Sequence, residues 1–459
     1  MKITVKRACV IYALILAFVI GVAILMFDVV TKGESWATGK LSRHFSYETD
    51  ISEIIDINGK TLVSNSDGER VYIKDVALRT ATLHVIGDRA GKIDTGIDTL
   101  YSVIPDAYNI VDGVYYLKSE DLGGVASVTL NIDSGANKVA YNALKDYKGC
   151  VAVYNYKTGQ LLCSVSTPAF DPDNVPADLD ETLEKYEGVY IDRVTRGTYT
   201  PGSIMKIVTA ACAIENIPDL YTRSFNCDRE YETGDGIVRC NGTHGEQNFV
   251  QAMNNSCNCA FAEISIELGA EKLLEYAESI GFNQELYAGE IRLTTSVFEP
   301  DKKSRTELGW AGVGQSTTRT TPAYFLSLMG AIANGGSGYA PDRLRCFNTS
   351  SGKELTREAQ IIVSLNRETA AKLAELLRSN VRDEYGDNRF PGLEMCGKTG
   401  TAQLDGKDSH SWFAGYSQRE DLPLAVVCIA ENGGWGSHAA TEISNEVMQY
   451  FADNPQAIS

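Results

Sequence analysis

Ser203 and Lys206 stand three residues apart in the stretch Tyr199-Thr200-Pro201-Gly202-Ser203-Ile204-Met205-Lys206. A serine hydroxyl is a poor nucleophile until a base takes its proton. An amine can be that base once burial or neighbouring cations lower its pKa. Pro201 and Gly202 mark a turn, and Ile204, Ile207, Val208, Ala211 and Ile214 recur at helical spacing. Ser203 is therefore expected at the mouth of a helix, where free N–H groups and the helix dipole favour developing negative charge. Lys206 is expected one turn on, on the same face. Taken alone, the pair reads more readily as an N-cap followed by a solvated lysine. Two later stretches give it company. Asn254-Asn255-Ser256-Cys257-Asn258 supplies a second hydroxyl and an amide, and Cys396-Gly397-Lys398-Thr399-Gly400-Thr401 supplies a second amine. Separately, Ser256 and Asn258 read as helix caps and Lys398 as a charge guarding a sheet edge. Together they supply two amines and two hydroxyls, enough for a serine nucleophile with an amine as its base.

These groups need a scaffold to hold them. A strand is expected over residues 127–132 and a helix over 136–144. Residues 149–156 and 160–165 form two apolar runs joined at Lys157-Thr158-Gly159, an antiparallel hairpin. The spacing predicts helices over 249–268, 270–280 and 323–334, the last closed by Gly335-Gly336, and another over 367–380. Strands are expected over 394–401, 411–416 and 424–430, and a closing helix over 439–452. Strands at both ends of a segment with helices between them make an antiparallel α+β domain.

The chain has 459 residues, enough for two or three domains, with 44% hydrophobic and 22% charged residues, as in a globular protein. Its net charge of −18 argues against nucleic acid and against docking on an anionic lipid surface. Residues 8–27 carry no charge and are long enough to cross a bilayer as a helix. Lys2, Lys6 and Arg7 precede them, which predicts a retained single-pass anchor with a cytoplasmic N-terminus and an extracytoplasmic body. Residues 31–126 read as a β-rich pedestal, or dimerisation-like domain, with an Asn58-Gly59 hairpin and short strands at 70–73 and 114–117.

Of the 11 cysteines, Cys150, Cys163, Cys212 and Cys428 sit in apolar runs and read as core residues. Cys227 and Cys240 lie in a polar stretch and are candidates for a disulfide in an oxidising compartment. Cys257-x-Cys259 lacks the spacing of a zinc knuckle, and the five histidines show no His-Glu-x-x-His pattern, so neither a metal site nor a cofactor is expected.

Ser-x-x-Lys, Ser-x-Asn and Lys-Thr-Gly, in this order, are the signature of penicillin-binding proteins and serine β-lactamases. From Ser127 to Glu446 the chain resembles the transpeptidase domain of class B penicillin-binding proteins, most of all the short A type of Gram-positive bacteria. The resemblance runs through Val128-Thr129-Leu130-Asn131-Ile132-Asp133, Pro168-Ala169-Phe170-Asp171-Pro172, Asp192-Arg193-Val194-Thr195-Arg196-Gly197, Gly312-Val313-Gly314-Gln315 and Trp412-Phe413-Ala414-Gly415-Tyr416. It is looser upstream. Asp56-Ile57-Asn58-Gly59 stands for the family's Asp-Arg-Asn-Gly, and Gly96-Ile97-Asp98 for its Gly-Leu-Glu.

The resemblance implies a penicillin-binding fold in three parts: tail and anchor over 1–30, pedestal over 31–126 and transpeptidase domain over 127–459. It implies acyl transfer on peptidoglycan stem peptides, with Ser203 as nucleophile, Lys206 as base, Ser256 bridging Lys206 and Lys398, and β-lactams acylating Ser203. Asn258, Thr399, Gly400 and Thr401 would bind substrate, and the N–H groups of Ser203 and Thr401 would form the oxyanion hole. Gly397 and Gly400 would let the substrate lie along the strand as an added strand. Partners would be stem peptides, β-lactams, the membrane and a glycosyltransferase of the cell-wall machinery. The rival readings are a D,D-carboxypeptidase with water as acceptor, a β-lactamase using Glu290, and a non-catalytic divisome scaffold. The stretch before the pedestal reads as too short for a glycosyltransferase module.

Overall fold

The computed structural model describes residues 7, 11–28, 51–66, 69–100, 105–109, 113–116, 125–349, 354–404, 407–436 and 438–458. Its centre is a five-stranded antiparallel sheet in the order Met395–Leu404, Lys407–Ser417, Leu424–Glu431, Lys148–Asn155, Leu161–Thr167. The last two strands form the expected hairpin, which closes at Gly159 with φ +81°.

Both faces of this sheet are covered, which explains why its strands read as continuous apolar runs rather than alternating ones. Val426, Cys428 and Ala430 pack with Ala440, Ile443, Val447 and Phe451 of helix Ala439–Asp453 and with Ala136, Ala140 and Leu144 of helix Ser134–Leu144. Ala425, Val427 and Ile429 face the opposite way. They join the core of helix Pro322–Ala333, whose residues from Pro322 to Ile332 are all buried, and of helix Lys206–Asn216. A helix apolar on every side is one that runs through the core.

A second sheet, of six strands, has the order Glu354–Leu355, Leu344–Thr349, Val125–Leu130, Glu53–Ile55, Thr61–Ser66, Glu69–Tyr72. The Asn58-Gly59 hairpin is present. Asp56 accepts hydrogen bonds from the N–H groups of Asn58 and Lys60, and Gly59 takes φ +79°. Val125–Leu130 lies parallel to Glu53–Ile55 and antiparallel to Leu344–Thr349, so one sheet draws strands from both sides of residue 126.

The upstream region is less purely β than its sequence suggests. Helices Val76–Ala81, Leu83–Ile86 and Ile97–Leu100 lie within it, the first capped by Asp75. One or two turns are too short for a helical period to show. Two arginines, one buried and one half-buried, lock this region to the body. Arg343 pairs with Asp192 at 2.7 Å and donates to the carbonyls of His84 and Thr95, and Arg79 pairs with Asp171. His84, fully buried against the Val189 carbonyl, has its pKa lowered to about 4 by desolvation.

Ile11–Asp28 is helical and long and apolar enough to cross a membrane. Residues 31–50 of the expected pedestal lie outside the described residues.

Candidate active site

The hydroxyl of Ser203 is placed by a clamped turn. Gly202 has φ +57°, and its N–H donates to the Gly314 carbonyl at 2.8 Å. A Cβ on Gly202 would come within 2.6 Å of the Thr401 carbonyl oxygen. One on Gly314, itself at φ +88°, would come within 2.0 Å of the Gly202 carbonyl oxygen. Only glycine fits either position. Trp412 donates its indole N–H to the Thr200 carbonyl at 3.1 Å. The α-helix begins at Lys206, one turn later than the sequence suggests, because Gly202–Met205 is a 3₁₀ turn. In a 3₁₀ turn, side chains at i and i+3 eclipse. That brings Lys206 Nζ to 2.8 Å from Ser203 Oγ.

Lys206 is fully buried. Besides Ser203, its amine meets Asn258 Oδ1 at 2.8 Å, the Ser256 carbonyl at 3.1 Å and Ser256 Oγ at 3.4 Å. Burial, and then the Lys398 cation, lower its pKa from 10.5 to about 7. The amine is thus held between its charged and neutral forms near neutral pH.

Ser256 sits in a break. The sequence predicts one helix over 249–268, but the structure has two, Phe249–Asn254 and Asn258–Leu268. Ser256 takes φ +52°, which is costly for a residue with a side chain, and Cys257 caps the second helix through its sulfur. The break turns both Ser256 oxygens toward Lys206. Apolar periodicity runs straight through it, which is why the pattern hid it. The Asn258 side chain has both ends engaged, Oδ1 by Lys206 and Nδ2 by the Arg239 carbonyl.

Lys398, Thr399, Gly400 and Thr401 lie on Met395–Leu404, the edge strand of the five-stranded sheet. Lys398 is fully buried. Its amine bonds Tyr385 Oη at 3.3 Å and the Thr399 carbonyl at 3.5 Å. Among the described residues no hydrogen bond joins Ser256 to Lys398. Tyr385 also accepts from the Thr399 N–H at 3.0 Å and shares a bond with Thr399 Oγ1 at 2.9 Å. Burial pushes the Tyr385 phenol up, but Lys398 and the bonds from Thr399 outweigh it and hold the pKa below the usual value. Sequence reasoning missed Tyr385 because it belongs to no motif; it stands in a π-helical turn, Asn380–Tyr385, at the end of a helix.

The two strand glycines allow close packing against neighbouring segments. A Cβ on Gly400 would come within 2.7 Å of the Pro201 carbonyl oxygen, and one on Gly397 within 2.7 Å of the Phe413 ring. Their missing side chains make room for the protein itself. Thr401 Oγ1 accepts from the Gly436 N–H. Glu290 is gripped by Arg357, which also holds Asp342.

Cys227 and Cys240 are free thiols rather than a disulfide. They gather with His244 and Cys257, the four ligand atoms lying within 4.8 Å of one another. His244 was not legible as a partner because the four residues come from separate loops and element ends.

The family model of the penicillin-binding protein transpeptidase domain matches residues 149–449. Stage V sporulation protein D of Bacillus subtilis is 30% identical over 320 residues, an alignment spanning 66% of this chain and 48% of that protein. The chain thus covers about half the length of that relative. Peptidoglycan D,D-transpeptidase PbpA of Mycobacterium tuberculosis is 25% identical over 351 residues, 70% of each chain. Among solved structures, the D,D-transpeptidase domain of a peptidoglycan glycosyltransferase from Eggerthella lenta superposes with a TM-score of 0.72 at 24% identity. The match covers 89% of this chain and 99% of that one. Penicillin-binding protein A from M. tuberculosis, solved as a ceftriaxone acyl-enzyme, gives 0.71 at 20% identity, covering 88% and 98%. These structural likenesses carry the fold.

Proposed function

The chain belongs to the penicillin-binding protein transpeptidase family, and from that premise we propose that it is a serine D,D-transpeptidase that cross-links peptidoglycan stem peptides. The observation that carries this reading is the buried Lys206 amine, 2.8 Å from Ser203 Oγ and with its pKa lowered to about 7.

Neutral Lys206 takes the Ser203 proton as Oγ attacks the carbonyl between two D-alanines. The N–H groups of Ser203 and Thr401 receive the oxyanion; one such donor is worth roughly 3 kcal/mol of barrier. Ser256, whose hydroxyl lies 3.4 Å from Lys206 Nζ, passes the proton to the departing D-alanine amine. The acyl group stays on Ser203 as an ester until an amine of a second stem peptide attacks it, with Lys206 again as base. Splitting the reaction in this way avoids direct attack of an amine on an amide.

Lys398 and Thr399 bind the terminal carboxylate. Tyr385 holds both of them in place, a positioning role. The donor peptide lies along the free edge of Met395–Leu404 as an added strand. Asn258 turns its amide from Lys206 and Arg239 toward the peptide as substrate enters. β-Lactams acylate Ser203 by the same route. The Ile11–Asp28 helix anchors the chain, with Arg7 on the cytoplasmic side and the catalytic body outside. The upstream region acts as the pedestal, and a glycosyltransferase supplies the glycan strands.

Intact-mass analysis after penicillin exposure tests the nucleophile. One adduct is expected, mapping to the peptide that carries Ser203 and lost in Ser203→Ala; an adduct elsewhere sinks the assignment. Reaction with a stem-peptide donor, with and without an acceptor amine, tests the outcome. Cross-linked product is expected, and hydrolysis alone would make the chain a carboxypeptidase.

A further inference from the structure

The acyl-transfer reading leaves unused a cluster behind the Ser256 break. Cys227 ends strand Ser224–Cys227, Cys240 follows strand Ile237–Arg239, His244 lies in the next loop, and Cys257 caps the helix that carries Asn258. The three cysteines are buried, and His244 is half-buried. Cys240 Sγ is 3.6 Å from His244 Nδ1 and 4.0 Å from Cys257 Sγ.

We propose that Cys227, Cys240, His244 and Cys257 form a tetrahedral structural site for a zinc ion.

The spacing fits that geometry. With Zn–S bonds of about 2.3 Å and Zn–N bonds of about 2.0 Å, the edges of the tetrahedron are about 3.8 Å between sulfurs and about 3.5 Å from sulfur to nitrogen. A disulfide would need about 2.05 Å. Packing as small hydrophobes accounts for one buried thiol, but not for three converging on an imidazole nitrogen. A second observation points the same way. The Asn258 N–H donates to Cys240 Sγ at 3.3 Å, and the Ala260 N–H donates to Cys257 Sγ at 3.5 Å. Amides aimed at sulfur suit thiolates, and buried thiolates need a cation. Soft sulfur with imidazole at tetrahedral spacing selects zinc over the hard divalent cations. Cys259 lies beside the cluster as a fourth thiol.

The ion would tie three separate segments to one point. Cys257 stands between Ser256 and Asn258, so the same point fixes the break that aims both residues at Lys206. That consequence rests on the acyl-transfer reading; the binding of the ion does not.

The test uses the full chain in detergent, purified reduced, equilibrated with zinc and desalted. Elemental analysis should find about one zinc per chain in the wild type and in Cys163→Ser, a buried thiol elsewhere in the core. Cys240→Ser and His244→Ala should lose it severalfold. Cobalt exchanged into the wild type should show a thiolate-to-metal charge-transfer band, a readout that needs no variant. Ser203→Ala should hold zinc like the wild type while taking no penicillin, which separates this site from the catalytic reading. A wild-type chain that retains under a tenth of an equivalent overturns the proposal. So does a disulfide at Cys240, or equal zinc loss in Cys163→Ser.

Discussion

Replacing Lys398 tests whether the catalytic amine is tuned as its surroundings indicate. Lys206 is fully buried, and its pKa falls from 10.5 to about 7. That difference is worth roughly 5 kcal/mol between the charged and neutral amine. It raises the neutral fraction at pH 7 from about 3 in 10,000 to about one half. Acylation by a fluorescent penicillin should therefore rise about tenfold per pH unit below neutrality and level off above pH 7. The sign follows from the form required: only the neutral amine accepts the Ser203 proton, so protonation on the acid side removes activity.

Lys398 is the second cause of the lowered value, after burial, and it acts as a like charge. In Lys398→Ala the Lys206 pKa should climb, moving the midpoint of the acid limb to higher pH, apart from any fall in the plateau caused by weaker carboxylate binding. The assay is the second-order acylation constant from pH 5 to 9, measured on the full chain. A wild-type limb centred near pH 10, a flat profile, or a midpoint that moves down in Lys398→Ala would refute the reasoning.

Tyr385→Phe removes the bonds to Thr399 and Lys398; at about 1 kcal/mol or more for the set, acylation should slow roughly tenfold while Phe keeps the fold, and an unchanged rate would leave Tyr385 no positioning role. Gly314→Ala drives a methyl to 2.0 Å from the Gly202 carbonyl oxygen at φ +88°. Stability should drop by about 1–3 kcal/mol and penicillin labelling should fall more than stability alone explains, read by thermal melting beside gel fluorescence. His84, with its pKa lowered to about 4 against 6.5, binds fewer protons folded than unfolded, so stability is lost as pH falls from 6.5 toward 4. His84→Gln should flatten that part of the pH–stability curve, whose ceiling from this group is about 3 kcal/mol, as measured by urea unfolding between pH 4 and 7.

Legibility differed from element to element for identifiable reasons. Strands Lys148–Asn155, Leu161–Thr167 and Leu424–Glu431 were readable because their apolar runs were bounded by turn residues, and helix Pro322–Ala333 because its pattern was long and closed by glycines. The helices Val76–Ala81 and Leu83–Ile86 were not, since so few residues show no period. The break at Ser256 was hidden by apolar residues that keep helical spacing on both sides of it. Tyr385 and the Cys227, Cys240, His244 and Cys257 group carry no spacing signal, because proximity in space left no mark on their order in the chain.

What the chain determined by itself was the chemical inventory: a serine beside a lysine, a second serine with an asparagine, and a second lysine on a strand. Those identities and their order are local facts. The fold decided their properties. An amine becomes a base near pH 7 only when the core closes over it and another cation approaches. A hydroxyl faces that amine only when a 3₁₀ turn eclipses the two side chains. Burial, like-charge proximity and backbone breaks are relations between distant segments, and they come into being only when those segments meet.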